Sequence, residues 1–299
     1  MSNPPARLCL VLNPRGGGGR ARGVLEQVRP ALEECGVALD VRETRCVGHA
    51  REIARGLDAE AADALVVLGG DGTVHEVVNG LMARPDPAAL PFGVIPAGSG
   101  NSLATDLGVL DPSVATQRIL MGAAQPFDVL RVTGRGDPLH AFNIVGWGLA
   151  ADVGRLAERW RALGPGRYSL MTVWSVLRGR VRSARLSVDG QTSEERLSFV
   201  MALNTRHTGT GMCLAPDARL DDGLLDLLVV RAMPRGQLLR LFSRVPDGGH
   251  LDSPHVEMRQ VSRFSLSAPS PEPLNIDGEV AGSSPMEVSV LPGALRLLR

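Results

Sequence analysis

VVLGGDGTVHEVVNGLM, residues 66–82, sets a short apolar run against two glycines, one acid, a third glycine, a threonine and then apolar residues at helical spacing. An apolar run of that length ending in glycine reads as a buried strand, and the pattern after it as a helix. Strand, glycine turn and helix together form one unit of a parallel sheet with helices on its faces. The lone carboxylate, Asp71, lies in the turn.

The units on either side repeat the pattern. RLCLVLNP (7–14) reads as a buried strand with a glycine-rich exit, and RARGVLEQVRPALEECG (20–36) as a helix stopping at Gly36. VALDVRET (37–44) alternates like a strand, GHAREIARGL (48–57) is helical, and ADALVVLGG (62–70) and PFGVIPAG (91–98) are further strands. The order β-α-β-α-β-α-β predicts a parallel sheet, whose ligands bind beyond the carboxyl ends of the strands. After about residue 127 the texture changes to short strands broken by Gly, Pro, Asn and Asp, from FDVLRVTG to MEVSVLPGALRLL, which predicts a β-sandwich or open barrel. Helical interruptions are expected at about 155–178 and at 235–245.

Composition narrows the chemistry. The 299 residues suit one large domain or two ordinary ones, and a hydrophobic fraction of 44% supports a sizeable core. Acids and bases balance at 32 each, so no global field recruits nucleic acid or an anionic membrane, which leaves only local patches. Every basic residue is arginine, which excludes a Schiff-base lysine and a Walker-type lysine. A phosphate clamp must then use guanidinium forks, backbone N–H groups or a metal. Cys9, Cys35, Cys46 and Cys213 form no C-x-x-C pair, as expected of a reduced intracellular protein. The first residues lack a long apolar signal region, and no run of about 18 apolar residues predicts a membrane span. The expected location is cytoplasmic.

Three glycine turns follow three strands at one sheet edge: NPRGGGGR (13–20), GGDGT (69–73) and PAGSGNSLA (96–104). Without a Cβ, such a turn lets backbone N–H groups approach an anion. Asp71 beside a polyphosphate is repelled unless a divalent cation lies between them or the acid takes a proton from a substrate hydroxyl. Both situations belong to phosphoryl transfer. Thr73 either N-caps the helix or meets a phosphate oxygen, and His75 either contacts a nucleotide or packs.

GGDGT with its preceding strand, and PAGSGN (96–101), resemble the catalytic domain of diacylglycerol kinases, sphingosine kinases and bacterial lipid kinases. GGDGTVHEVVNGLM followed by ARPD is most similar to sphingosine kinases. The likeness continues in order through FNIVGWGLAADV (142–153), APDARLDDGLLDLLVV (215–230) and NIDGEV (275–280). It implies a phosphofructokinase-like α/β nucleotide-binding domain, residues 1–127 with 284–299 returning to it. A β-sandwich lipid-binding domain, residues 128–283, follows, with ATP in the cleft between the two.

Carried over by position, the resemblance implies nucleotide contacts from Asn13, Pro14, Arg15, Gly16 and Gly17, from Thr44, and from Ser99. It adds Gly70, Asp71, Gly72, Thr73, Val74, His75 and Glu76, then Arg161, Arg167 and Asp277 from the second domain. Some family members place a serine and a lysine in the first loop. Here the loop reads RGGGGR (15–20), which leaves phosphate contact to N–H groups and Arg20. DDGLLD (221–226) reads as a hairpin turn, and the resemblance adds a structural Mg2+ held by Arg219 and Leu224 carbonyls and the Asp222 carboxylate. Asp277-Gly278-Glu279 is also a hairpin signal. Bacterial relatives use this glutamate as proton acceptor, whereas sphingosine kinases are described with the GGDGT aspartate. Asp71 and Glu279 are therefore both catalytic candidates, with ATP and Mg2+ as cofactors and the division of roles open.

Trp147, Trp160, Tyr168 and Trp174 cluster in a chain that is only 3% aromatic. Leu170, Val173, Trp174 and Leu177 follow helical spacing, as either a core helix or a lid over an acyl-chain pocket. With the neighbouring arginines, this segment predicts peripheral association with a membrane surface carrying the lipid substrate. Where sphingosine kinases read Asp-Val-Asp, this chain reads Asp152-Val153-Gly154. Asp152 is the substrate-site candidate. If the segment is a strand, Asp152 and Gly154 share a face, and Gly154→Asp should favour a sphingoid base. The competing readings are an NAD kinase, which shares the GGDGT turn, and a non-catalytic nucleotide- or lipid-binding regulator. A homodimer is compatible with the sequence, which carries no signal for oligomeric state.

Overall fold

The computed structural model describes residues 4–159, 167–209 and 211–299 and, of 157–159 and 167–170, the backbone only. The chain forms an α/β domain followed by a β-sandwich domain. It divides into two compact units, one of residues up to 129 plus 292–299, the other of residues 130–291.

In the first unit, β1 (Arg7–Leu12), α1 (Arg20–Glu34), β2 (Ala38–Glu43), α2 (His49–Gly56), β3 (Ala64–Gly69), α3 (Asp71–Met82) and β4 (Phe92–Pro96) alternate along the chain. The strands run parallel in the order β2-β1-β3-β4. Every residue of β3 is buried, as expected for a central parallel strand covered on both faces. Its register sets Val66 beside Leu10 and Val67 beside Val94. Leu25, Val28 and Leu32 of α1 pack with Leu10, Leu12, Val66 and Leu68 into one core cluster.

Two short helices follow, α4 (Ser102–Asp106) and α5 (Pro112–Leu120), and then β5 (Ala124–Thr133). The sequence reading passed over α5, although its start signal is present: Asp111 N-caps it, its side chain accepting from the Ser113 N–H at 2.8 Å, with Pro112 at the first helical position. Within this unit Phe92 and Phe127 meet edge to face, and the Gly293 N–H donates to the buried Asp128 at 2.7 Å.

The second unit continues with β6 (Leu139–Ala141), β7 (Ile144–Gly148), α6 (Leu149–Arg159), α7 (Arg167–Arg178), β8 (Arg182–Val188), β9 (Gln191–Leu203), β10 (His207–Thr208), β11 (Met212–Cys213) and β12 (Leu225–Arg231). Next are α8 (Arg235–Ser243), β13 (Val256–Val261), β14 (Arg263–Ser267), β15 (Pro273–Ile276), β16 (Glu279–Ser283) and β17 (Met286–Leu298). The chain passes between the units within β5 and again within β17. Antiparallel ladders run β16-β15-β7-β9, with β8 joining β9 to β14 and β12 joining β9 to β13. Alternation along the strands divides the apolar residues. Trp147, Val200, Leu227 and Phe264 fill the sandwich interior, while Phe199, Met201, Leu228 and Val230 pack with Val176, Leu238 and Leu241 from α7 and α8.

Two local expectations are overturned here. GGDGT is not a turn throughout, because Asp71, Gly72 and Thr73 are the first residues of α3. Asp152, Val153 and Gly154 are not on a strand, because α6 already begins at Leu149. Residues two apart on a helix are separated by about 200° and share no face.

Candidate active site

At the carboxyl ends of β1, β3 and β4, the three glycine turns touch one another through their backbones. A Cβ at Gly17 would stand 2.0 Å from the Ala97 carbonyl oxygen, and Gly17 has a φ of +57°. A Cβ at Gly98 would stand 2.2 Å from the Gly70 Cα. Only glycine permits either approach. Asn13 links the first turn to α3: its Oδ1 accepts the Arg15 N–H at 3.1 Å, and its Nδ2 donates to Thr73 Oγ1 at 3.2 Å. The third turn is closed by Asn101, whose Oδ1 accepts the Gly98 N–H at 2.9 Å. Arg20 bridges the first and third turns, with Nε donating to the Gly17 carbonyl at 2.9 Å and an Nη to the Gly98 carbonyl at 2.6 Å.

Asp71 is the first residue of α3, and its carboxylate lies at the start of α4. Its oxygens accept from the Ser102 N–H at 2.7 Å and the Ser102 hydroxyl at 2.9 Å. Glu76, one turn along α3, accepts the Gly48 and Ala50 N–H groups at 2.9 and 3.0 Å, at the start of α2. Negative charge at a helix N-terminus is stabilised by its unpaired N–H groups. The two acids of α3 thus set the starts of two neighbouring helices. Thr73 is buried inside the first turn of α3, and the N-cap position is Gly70, so Thr73 is not the cap. His75 shares a short-range contact with Asn79, whose Nδ2 donates to the His75 carbonyl. Thr44 follows β2, its N–H donating to the Leu12 carbonyl at 2.8 Å, and Ser99 and Arg15 are exposed.

These turns fit a nucleotide polyphosphate. A Cβ at Gly17, Gly70 or Gly98 would meet the backbone of a neighbouring turn at 2.0–2.8 Å, so the turns pack this closely only as glycine, and glycine turns at strand ends are the construction anion-binding sites use.

In the second unit, Asp277 and Gly278 form the two-residue loop between β15 and β16, and Ile276 pairs with Glu279 across it. The buried Asp277 carboxylate accepts the N–H groups of Phe142, Asn143 and Ile144 at 2.9–3.0 Å. Glu279 opens β16 and is half-buried. Asp152 pairs with Arg182 at 2.7 Å, and Arg182 in turn pairs with Glu272 at 2.7 Å. Gly154 abuts Asn275, whose Nδ2 would stand 2.6 Å from an added Cβ. A side chain at Gly154 would therefore displace the Asn275 amide from its contacts with Gly278 and Ala150.

In the 219–226 loop, Asp222 is exposed and its Oδ1 accepts the Leu224 N–H at 3.0 Å, while Arg219 stands 3.9 Å from Asp221. Burial, aided by the Asp222 and Asp217 carboxylates, pushes the Asp226 carboxyl up to about 6. Among the described residues, no three His, Cys, Asp or Glu side chains gather as a metal site. A cation here would therefore rely on backbone carbonyls beside Asp222. That all-oxygen donor set fits Mg2+.

Of the aromatic segment, Trp147 is fully buried in the sandwich. Trp160 and Arg161 lie outside the described residues, as do the side chains of Arg167, Tyr168 and Leu170. On α7, Met171, Ser175 and Val176 are buried, whereas Val173, Trp174 and Leu177 are 45–50% exposed, with Arg178 over the Trp174 ring at 4.2 Å. Val173, Trp174 and Leu177 of the apolar stripe thus face outward, while α7 packs into the core through another face that carries Val176. Among the described residues, no helix is long and apolar enough to cross a membrane. The sequence reading missed Ser102 and Asn101, although both stand in the quoted third turn. It also missed Asn275, for which propensity carries no signal.

Comparison with known proteins agrees with this layout. Residues 7–132 match the diacylglycerol kinase catalytic domain and residues 143–299 the YegS C-terminal NAD kinase beta sandwich-like domain. Human sphingosine kinase 1 is 31% identical over 96% of this chain and 89% of its own length. A Bacillus subtilis diacylglycerol kinase is 28% identical over 94% of this chain and 92% of its own. The crystal structure of a diacylglycerol kinase from Bacillus anthracis str. Sterne shares the fold with a TM-score of 0.79, at 24% identity over 99% of this chain and 98% of that one.

Proposed function

Because the chain belongs to the lipid kinase family of sphingosine and diacylglycerol kinases, we propose that it transfers the γ-phosphate of ATP to a lipid hydroxyl. The observation that carries this reading is the contact of three glycine turns around the start of α3, with Asp71 held there by Ser102. In this reading residues 1–129 with 292–299 bind the nucleotide and residues 130–291 bind the lipid. ATP, when bound with Mg2+, supplies the transferable phosphoryl group and an ion that offsets its charge. The N–H groups of the turns hold the phosphates, and Arg20 keeps the first and third turns in register. Asp71 or Glu279 takes the proton from the acceptor hydroxyl at a carboxylate oxygen. The loop of Arg219, Asp222 and Leu224 holds a second, structural Mg2+.

For the acceptor, the family offers a sphingoid base or a diacylglycerol. A lipid amine wants a carboxylate within hydrogen-bond reach. Asp152 is paired with Arg182, and a side chain at Gly154 would have to displace the Asn275 amide. These two observations favour the lipid without an amine. The outward stripe of α7, with Arg178 on Trp174, suits contact with an anionic membrane surface.

A radiolabelled-ATP assay over diacylglycerol, sphingosine and other lipid alcohols, with NAD included, tests this reading. Phosphorylation of diacylglycerol is expected. Labelling of NAD alone would move the chain to the NAD kinases, and nucleotide binding without transfer to any acceptor would make it a regulator.

A further inference from the structure

The family resemblance implies a nucleotide contact for Asp277, but its surroundings point elsewhere. The two residues between β15 and β16 both have positive φ, 52° at Asp277 and 96° at Gly278. That is the signature of a tight hairpin turn, for which Asn-Gly serves at least as well as Asp-Gly. Turn propensity therefore does not explain the aspartate.

Its hydrogen bonds do. In an ordinary surface hairpin the first turn side chain is solvated. Here it is buried, and three successive N–H groups, those of Phe142, Asn143 and Ile144, converge on its two oxygens. Its own N–H donates to the Ile144 carbonyl at 3.0 Å. An ionised carboxylate accepts all three donors, whereas an amide offers one oxygen and turns an NH2 toward the rest. The other side of the turn is fixed by Asn275, whose Oδ1 accepts the Gly278 N–H at 2.8 Å and whose Nδ2 donates to the Ala150 carbonyl of α6 at 3.3 Å. Glu279 is the next residue along, paired with Ile276 and half-buried.

We infer that Asp277 is a positioning residue for Glu279: its buried carboxylate anchors the turn to the start of β7 and so sets where the Glu279 side chain is presented. This inference rests on the lipid kinase reading for the role of Glu279. It replaces the nucleotide contact expected of Asp277 with an anchoring one.

The test uses Asp277→Asn and Glu279→Gln, singly and together, in the full chain. Three quantities are measured: affinity for a fluorescent ATP analogue, phosphoryl transfer at saturating nucleotide, and amide hydrogen exchange at residues 142–144 and 276–280. Asp277→Asn keeps the turn preference, so the protein should fold. Positioning predicts that it lowers kcat by about tenfold to a hundredfold, while nucleotide Kd moves by less than about twofold. Exchange should quicken in those two segments and not in β1, β3 or β4. The double variant should lose no more than Glu279→Gln alone, because both changes act through one group.

A Kd weakened by about tenfold with kcat retained would return Asp277 to the nucleotide and overturn the inference. Losses that multiply in the double variant would also overturn it, as would unchanged exchange at 142–144. A wild-type protein that neither binds nucleotide nor phosphorylates a lipid defeats the functional reading instead. The exchange comparison then decides by itself whether Asp277 anchors the turn.

Discussion

Asp71 and Asp277 both precede a glycine and both accept backbone N–H groups, yet they are held in opposite ways. Asp71 begins a helix, is half-buried, and accepts the N–H and the hydroxyl of Ser102. Asp277 sits in a left-handed turn, is buried, and takes three N–H groups from the strand start beside it. A carboxylate can accept about four hydrogen bonds, so three structural donors nearly complete Asp277. In the first unit the glycine backbones of neighbouring turns pack together, and Asp71 follows directly on one of them. In the second Asp277 ties its hairpin turn to the start of β7. The same short motif, Asp-Gly, thus begins a helix in one place and closes a hairpin in the other.

The largest expected effect falls on Asp71. Asp71→Asn keeps volume and removes charge, so phosphoryl transfer should drop by about two to four decades, while circular dichroism and Tm stay near wild type. Turnover near wild type would erase the functional half of the contrast. Asp277→Ala should do the reverse to stability. Removing the acceptor of three buried N–H groups should destabilise the fold by about 3 kcal/mol, read as a lower midpoint in denaturant. A neutral outcome would mean that water replaces the carboxylate and that the burial matters little.

Gly17→Ala probes the first unit directly. With positive φ and a carbonyl in the way, the variant should lose about 2 kcal/mol of stability and bind an ATP analogue weakly. If affinity persists, the contact of the first and third turns is not what shapes the phosphate cradle. Smaller still is the effect of metal on the 219–226 loop. Millimolar Mg2+ should raise stability by about 1 kcal/mol in wild type and by much less in Asp222→Asn. Equal shifts in the two proteins would remove Mg2+ from that loop. Trp174→Ala should change stability by no more than about 0.5 kcal/mol, yet lower turnover on anionic vesicles more than on a soluble short-chain lipid. Equal turnover on both, unchanged by the substitution, would count against a membrane-facing α7.

What could be read in advance follows from range of interaction. The α/β order, the change to short strands and the positions of the three glycine turns are local properties of apolar period and glycine placement, and the chain stated them outright. The place of Asp71, between a buried strand and a helix at the carboxyl edge of the sheet, was equally legible from its glycine neighbours. The Asp-Gly hairpin at 277–278 was legible as a turn for the same reason. Tertiary structure alone decided how the acids are used. Glu76 meets the start of α2, Asp71 meets Ser102, Asp152 meets Arg182, and Asp277 meets residues more than a hundred positions earlier. No periodicity encodes such partners, because they depend on which strand ends and helix starts the packing of the core brings into reach. The same holds for Gly154, where the resemblance marks a missing acid and the structure sets the position against the Asn275 amide.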